Sequence, residues 1–554
     1  MDSLEAAVRD RAYTPAVRDL PAILELLARD DEDLVELAER ALARQPDAAL
    51  SSIQTRLADA KPPLRGRLSK VVGRIVASNP NGTGRPLLIS LLSDADDKTR
   101  RNAIIAAGKL AGDDVESALL TRWPLESRAD HRRSLAASLG KIGTDRSLAL
   151  LKKELKKVPS DDASSSLRDA MAQSVLMLER SLSRSSPASE SSSIDMLASP
   201  SQPIEAVLVC RDGLEVVLEE EIDEIAPHFE PRIDGPGLVS ISLHDSLAKV
   251  FEARTLLSIA FPLKAKLGRH EDALADAIVA ALTSPEANRI IDTFTRGPAT
   301  FRLAWASGGH RRAVVWAVAR KIAETKSKLR NDPTSSAWEA VVHIDQERGG
   351  ILVDLSPKAV ADTRFDYRST DVPASSHPTV AAALARVAGR RENDIVWDPF
   401  VGSGLELIER ARLGGVLRSY GTDISEDALR AARVNLDAAK VSAELALEDA
   451  RTFAPSGVTL IVSNPPMGRR VERTGMIRDV LEQFLNHAAR VLAPGGRMVW
   501  ASPFPKPTAE RAALLGLEVT RRIRFDMGGF DAEIQRIEMP SRAPAQGKRN
   551  PRGR

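Results

Sequence analysis

Four short segments in the last third of the chain set glycine, acidic and amide residues where strands should end. Asp394-Ile-Val-Trp-Asp398 reads as a short apolar strand. It runs into Asp398-Pro-Phe-Val-Gly402-Ser-Gly404, and helical sequence begins at Leu405-Glu-Leu-Ile. A glycine-rich turn between strand and helix lets a nucleotide-like ligand touch backbone, because no side chain stands in the way. The spacing is neither G-x-G-x-x-G nor G-K-[ST], so dehydrogenase and P-loop chemistry lose ground. Asp423 ends Tyr420-Gly-Thr-Asp, where a carboxylate can accept both hydroxyls of a ribose. Asp449, in Leu447-Glu-Asp-Ala-Arg, can accept from an adenine amino group. Finally Leu460-Ile-Val-Ser runs into Asn464-Pro-Pro-Met467. Each acid alone reads as a solvated loop residue; the ordered set does not.

The set resembles the class I S-adenosylmethionine-dependent methyltransferases, a Rossmann-like fold with a mostly parallel sheet. The N-P-P-x signature marks those members that methylate an exocyclic amino nitrogen of a base. The resemblance implies that Asp398, Phe400, Gly402, Ser403 and Gly404 bind the cofactor, with Gly402 and Gly404 passing beneath its methionine part. It implies that Asp423 holds the ribose, that Ile424 beside it also binds the cofactor, and that Asp449 with Ala450 faces the adenine. Leu492-Ala-Pro-Gly-Gly-Arg before Met498-Val-Trp-Ala matches the family's lead-in to its fifth strand. Tyr367-Arg-Ser-Thr-Asp-Val-Pro-Ala-Ser-Ser-His-Pro matches the stretch before the methyltransferase in N2-methylguanosine enzymes, which brings Ser376, His377 and Pro378 to the cofactor.

The implied catalytic group is Asn464, Pro465, Pro466 and Met467. An exocyclic base nitrogen delocalises its lone pair into the ring and must turn it out of plane to attack a methyl sulfonium. Asn464 Oδ1 and the Pro465 carbonyl can accept its two N–H bonds, and the prolines stiffen the loop. The leaving group is neutral, so no metal is expected and positioning carries the rate. Two positions depart from the family. Met467 stands where Tyr or Phe stacks on the base, and Leu405 stands where Thr is usual.

The elements that must position these residues change character along the chain. Residues 1–180 are helical and repetitive: Arg100-Arg-Asn-Ala-Ile-Ile-Ala-Ala-Gly108-Lys parallels Arg132-Arg-Ser-Leu-Ala-Ala-Ser-Leu-Gly140-Lys, and an earlier copy ends at Val72-Gly73. Stacked helix pairs have this period, with small residues where helices approach. The region resembles HEAT-like repeats, a solenoid and docking surface for a protein partner. Residues 181–203 read as a Ser/Pro-rich linker.

After it come predicted strands at Ala206–Cys210, Leu238–Leu243, Thr300–Trp305, Ala340–Ile344 and Gly350–Leu355. Helices are expected from Gly213, around 246–255, and over 311–328. Residues 204–270, with Gly213-Leu-Glu, resemble a ferredoxin-like domain. Residues 271–370, with Phe301-Arg-Leu-Ala-Trp-Ala-Ser-Gly-Gly-His310-Arg-Arg and Leu329-Arg-Asn-Asp-Pro-Thr, resemble a THUMP domain. That pairing implies docking of a structured RNA, transfer or ribosomal. Residues 371–540 form the methyltransferase domain, and a basic disordered tail closes the chain at 541–554.

The charge balance agrees only locally. With 78 basic and 76 acidic residues the net charge is +2, so nucleic-acid binding needs local asymmetry. Residues 296–330 supply it, with nine Lys/Arg against Glu324 alone; Arg311, Arg312, Arg320, Lys321 and Arg330 are the candidate phosphate contacts. The single cysteine, Cys210, excludes an intrachain disulfide and a cysteine-rich metal site. No apolar run is long enough to span a bilayer, and the amino terminus lacks a secretory h-region, so a cytoplasmic setting is expected. The reading is guanine-N2 methylation of RNA. The alternatives are adenine-N6 methylation and a non-catalytic RNA-binding scaffold.

Overall fold

The computed structural model describes residues 2–10, 13–159, 162–185, 191–270, 272–309, 311–325, 327–345, 350–373, 375–467 and 474–541. They form two compact units that divide between Glu190 and Ser191.

The first unit is helical. Helices Leu64–Ser78, Asp97–Ala107, Ala129–Ile142 and Asp162–Ser185 pack in series, alternating in sequence with Gly84–Leu91, Asp113–Arg122 and Asp145–Leu155. The repeated glycines are the contact points. A Cβ on Gly73 would lie 2.7 Å from Ala106 Cβ, one on Gly108 2.6 Å from Ser138 Oγ, and one on Gly140 2.7 Å from Ser174. Each glycine thus receives the small residue of the next repeat. Ser138 Oγ, pressed against Gly108, donates to Ile104 O at 2.8 Å and leaves no polar atom unpaired there.

The expected linker is shorter than 181–203. Helix Asp162–Ser185 enters it from one side. On the other, Ser193–Ile194 pairs antiparallel with Thr295–Arg296, and Ile194 is buried. The serine-rich composition conceals the apolar run Ile194-Asp-Met-Leu, which anchors to the second unit.

The second unit holds two large sheets. The first has eight strands, in the order 232–235, 238–243, 204–209, 258–266, 350–357, 338–345, 300–305, 330–331. The ferredoxin-like and THUMP-like stretches therefore share one continuous sheet, where separate domains were expected. Ser258–Lys266 joins them. Its first residues pair with Ile204–Val209, and Phe261 to Lys266 pair with Gly350–Leu355. The helix expected around 246–255 stops at Val250, because Glu221 captures the backbone N–H groups of Arg254 and Thr255 at 3.0 and 2.9 Å. The basic helix runs Arg312–Glu324.

The second sheet contains β1 (Asp394–Asp398), β2 (Val416–Asp423), β3 (Glu444–Leu447), β4 (Leu460–Ser463), β5 (Arg497–Ser502), β6 (Glu518–Asp526) and β7 (Asp531–Glu538). Their order is β3-β2-β1-β4-β5-β7-β6, with only β7 running against its neighbours β5 and β6. Every residue of β4 and β5 is buried, as expected of parallel strands covered on both faces. The helices are α1 (Pro378–Ala388), α2 (Leu405–Arg412), α3 (Glu426–Ala439), α4 (Thr474–Val491) and α5 (Pro505–Leu514). At the amino ends of the strands a buried cluster fixes the sheet: Arg410 and Arg497 donate to Asp394 at 2.6 and 2.8 Å. Strand order reverses between β1 and β4, so a crevice opens outside their carboxyl ends.

The two sheets are joined tightly. Asp526 N donates to Asp212 O at 2.9 Å. Gly213, at φ +90°, lies so close to β6 that a Cβ there would sit 1.9 Å from Arg524 O. Arg254 forks onto Glu409 of α2 at 2.5 and 2.8 Å, and Tyr367 Oη donates to the same carboxylate at 2.5 Å.

Candidate active site

The carboxyl ends of β1, β2 and β4 bring the predicted residues together. The turn after β1 holds Gly402 at φ +49° and Gly404 at φ +84°, conformations that disfavour a side chain. A Cβ on Gly402 would meet nothing nearer than Phe400 O at 3.9 Å, so the backbone there faces open space. Asp423, at the end of β2, supports this loop from beside it. Its Oδ2 accepts from Gly402 N at 3.1 Å and its Oδ1 from Ser425 N at 3.0 Å. Each oxygen keeps a further lone pair for a ligand. Ile424 follows, 80 % exposed although apolar.

Asp398 lies beneath the loop, fully buried, and accepts from Ser463 Oγ at 2.6 Å and Phe400 N at 3.1 Å. Burial, and then the neighbouring Glu406, push its carboxyl well above the usual range. It ties the ends of β1 and β4 together and fixes the loop from below.

Asn464 follows β4 directly. Its Nδ2 donates to Ser376 Oγ at 2.7 Å, and Ser376 in turn donates to Glu406. Asn464 Oδ1 is buried and has no hydrogen-bond partner among the described residues. A buried, unpaired carbonyl oxygen costs about 1–3 kcal/mol unless something donates to it. Pro465 is buried, Pro466 exposed, and Met467 half-buried against the hydrophobic core. The strap before α1 is tied to the glycine loop. Asn435 accepts from Ser369 N and Thr370 N at 3.1 and 3.0 Å and donates to Ser403 O at 3.0 Å, and Ser375 bonds Ser403 through their hydroxyls.

His377 caps α1, Nδ1 accepting from Thr379 N, with Pro378 in the first turn. Surrounding protein and the charges of Arg211 and Arg368 hold its imidazole down to about 4, so it is neutral at physiological pH although part of the ring is accessible. Asp449 differs from expectation. Arg451 binds both its oxygens, at 2.9 Å from Nε and 2.6 Å from Nη2, and holds its carboxyl below the usual range. That carboxylate is engaged within the chain, whereas Ala450 beside it is buried.

The basic segment is mixed. Arg311 and Arg312 are exposed at the start of their helix, the Arg311 guanidinium 4.8 Å from the Trp305 ring centre. Arg330 is exposed and lines a cavity of about 470 Å³ with Lys328 and Thr295. Arg320 is half-buried. Lys321 is already paired, 2.7 Å from Asp276 and 3.2 Å from Asp272, so it is not a free phosphate contact. His310 and the tail from 542 lie outside the described residues.

Sequence reasoning missed Glu406, Asn435 and Ser375. A glutamate inside Leu405-Glu-Leu-Ile reads as the solvent face of a helix, and nothing in the sequence marks it as buried.

Residues 366–528 match the model of the RMKL-like methyltransferase domain family. Over this segment the chain is similar to a methyltransferase domain. Residues 85–172 match HEAT repeats. A tRNA (guanine(6)-N2)-methyltransferase of Thermus thermophilus is 29 % identical over 307 residues, 52 % of this chain and 85 % of the relative. A tRNA (guanine(10)-N2)-dimethyltransferase of Methanothermobacter thermautotrophicus is 32 % identical over 155 residues, 27 % of this chain and 46 % of the relative. The crystal structure of TrmN from Thermus thermophilus aligns with a TM-score of 0.49 at 24 % identity, covering 60 % of this chain and 99 % of that one.

Proposed function

We propose that the chain methylates the exocyclic N2 of a guanine in transfer RNA, with S-adenosylmethionine as methyl donor. The observation that carries this reading is Asn464 Oδ1, a buried acceptor without a partner among the described residues, at the crevice where strand order reverses. An aromatic amine has two N–H bonds to give, and an acceptor there fixes its plane and turns the lone pair toward an electrophile. The two curated relatives, named as tRNA guanine-N2 enzymes, supply the choice of guanine and of transfer RNA.

The residues present fit the cofactor. The open backbone at Gly402 admits a ligand against the chain, and Asp423 retains acceptor capacity for ribose hydroxyls. Exposed Ile424 offers an apolar face for the adenine ring. When bound, the cofactor supplies an electrophilic methyl group on a sulfonium. Asn464 Oδ1 and the Pro465 carbonyl orient the substrate amine, Pro466 stiffens their loop, and Met467 flanks it with a thioether in place of an aromatic face.

RNA docks, on this reading, on the THUMP-like half of the eight-stranded sheet, with Arg311, Arg312 and Arg330 as exposed phosphate contacts. The repeat unit serves a protein partner. The setting is the cytoplasm; among the described residues no helix is long and apolar enough to cross a membrane. Deleting the gene and comparing modified nucleosides in separated transfer and ribosomal RNA tests the reading. Loss of N2-methylguanosine from transfer RNA is the expected result. An unchanged transfer-RNA profile would overturn it.

A further inference from the structure

Asn464 can present its amide either way round, since the two orientations occupy the same space. Only one puts an acceptor toward a substrate amine; the other presents NH2 to NH2, which is repulsive. Something must therefore choose. Ser376 stands between Asn464 and Glu406, and a hydroxyl has one hydrogen to give. In the structure Ser376 gives it to Glu406, so only lone pairs remain for Asn464, and Nδ2 must turn toward Ser376 at 2.7 Å. Oδ1 is then left unpaired among the described residues. Glu406 is 3 % exposed and in the first turn of α2, on a different element from both partners.

We propose that Glu406 is a positioning residue which, through Ser376, sets the hydrogen-bond polarity that keeps Asn464 Oδ1 facing the substrate amine. This rests on the guanine-N2 reading and deepens it, because it explains how a symmetric-looking amide is held in its productive sense. An ionised Glu406 only accepts, and the chain runs from Asn464 to Ser376 to Glu406. A protonated Glu406 can donate to Ser376, which frees the serine hydrogen for Asn464 Oδ1 and lets the amide turn over. The titratable groups acting on Glu406 are Asp398 below the loop, Glu409 one turn on, and Tyr367 from the strap; Arg254 is engaged by Glu409. Burial first, then Glu409, raise Glu406 to about 7 against the lowering effect of the Ser376 bond. The productive polarity is thus present above that pH and lost as pH falls through it.

The test uses the full chain, three single variants and one double variant. Glu406→Gln and Ser376→Ala are each expected to lower kcat on the order of tenfold to a hundredfold, with S-adenosylmethionine affinity changed less than about twofold, and to remove the acidic limb of the kcat profile near neutrality. Asn464→Asp offers an oxygen in both orientations, so Glu406→Gln should cost much less in that background. Infrared difference spectra between about pH 6 and about pH 8, recorded without substrate, should show a carboxyl signal that Glu406→Gln abolishes. Equal losses in both backgrounds, a loss confined to cofactor affinity, or a wild-type profile without the acidic limb would each overturn the positioning role. A wild-type enzyme that transfers no methyl to guanine while the infrared signal is present would instead remove the guanine-N2 reading, and the positioning role with it.

Discussion

One amide meets two demands at Asn464: Nδ2 is fixed by Ser376, while Oδ1 is buried and unpaired among the described residues. Asn464→Ala removes the acceptor without touching the glycine loop. Turnover should fall about a hundredfold or more, with cofactor affinity little changed. Single-turnover kinetics at near-normal rate would exclude the assigned role. Asp423 has a different part, because it accepts from Gly402 N and Ser425 N as well as facing the crevice. Asp423→Ala should weaken S-adenosylmethionine binding by ~1–3 kcal/mol, and titration calorimetry showing unchanged affinity would reduce it to a loop residue. The placement of Asn464, Asp423 and the two glycines at strand ends was legible in the sequence because backbone geometry restricts the residue types there. Asp449 and Lys321 were legible only as charges. Asp449 pairs with Arg451 two residues on, whereas Lys321 meets Asp276 by tertiary proximity, and residue type alone reveals neither pairing.

At the scale of elements, Gly213 is where the two sheets touch. Its positive φ and the 1.9 Å approach to Arg524 O leave no room for a Cβ. Gly213→Ala should cost at least ~3 kcal/mol of stability and loosen the fit against β6. An unchanged thermal midpoint would show the contact yields freely. Neutralising Arg311 and Arg312 should weaken binding to all RNA sequences alike and flatten its salt dependence. A full salt slope in the double variant would place the phosphate contacts elsewhere. Strands β1, β4 and β5 of the methyltransferase-like sheet are readable as apolar runs between turn residues. Ser258–Lys266 is not, since Pro262 in its middle argues against a strand. It is tolerated beside the point where pairing passes from Ile204–Val209 to Gly350–Leu355.

The whole molecule separates into a repeat unit and a two-sheet unit, each with its own apolar core. The 32- to 35-residue spacing of Gly73, Gly108 and Gly140 exposed the first, because close helix packing demands small residues at fixed intervals. The boundary was less legible, since Ile194 hides a strand inside serine-rich sequence. A chain beginning at Ser191 should therefore retain methyl transfer to a minimal RNA while losing association with a protein partner. If it folds and binds cofactor but no RNA, the repeats belong to the substrate site. The central claim, that Asn464 aims a guanine amine at the methyl donor, is tested most directly on unmodified transfer RNA. The RNA is incubated with S-adenosylmethionine and either the wild-type chain or Asn464→Ala, then digested to nucleosides for mass spectrometry. N2-methylguanosine from the wild type, and none from a variant that still binds cofactor, is the expected result. Methyladenosine in its place, or equal N2-methylguanosine from both proteins, would contradict it.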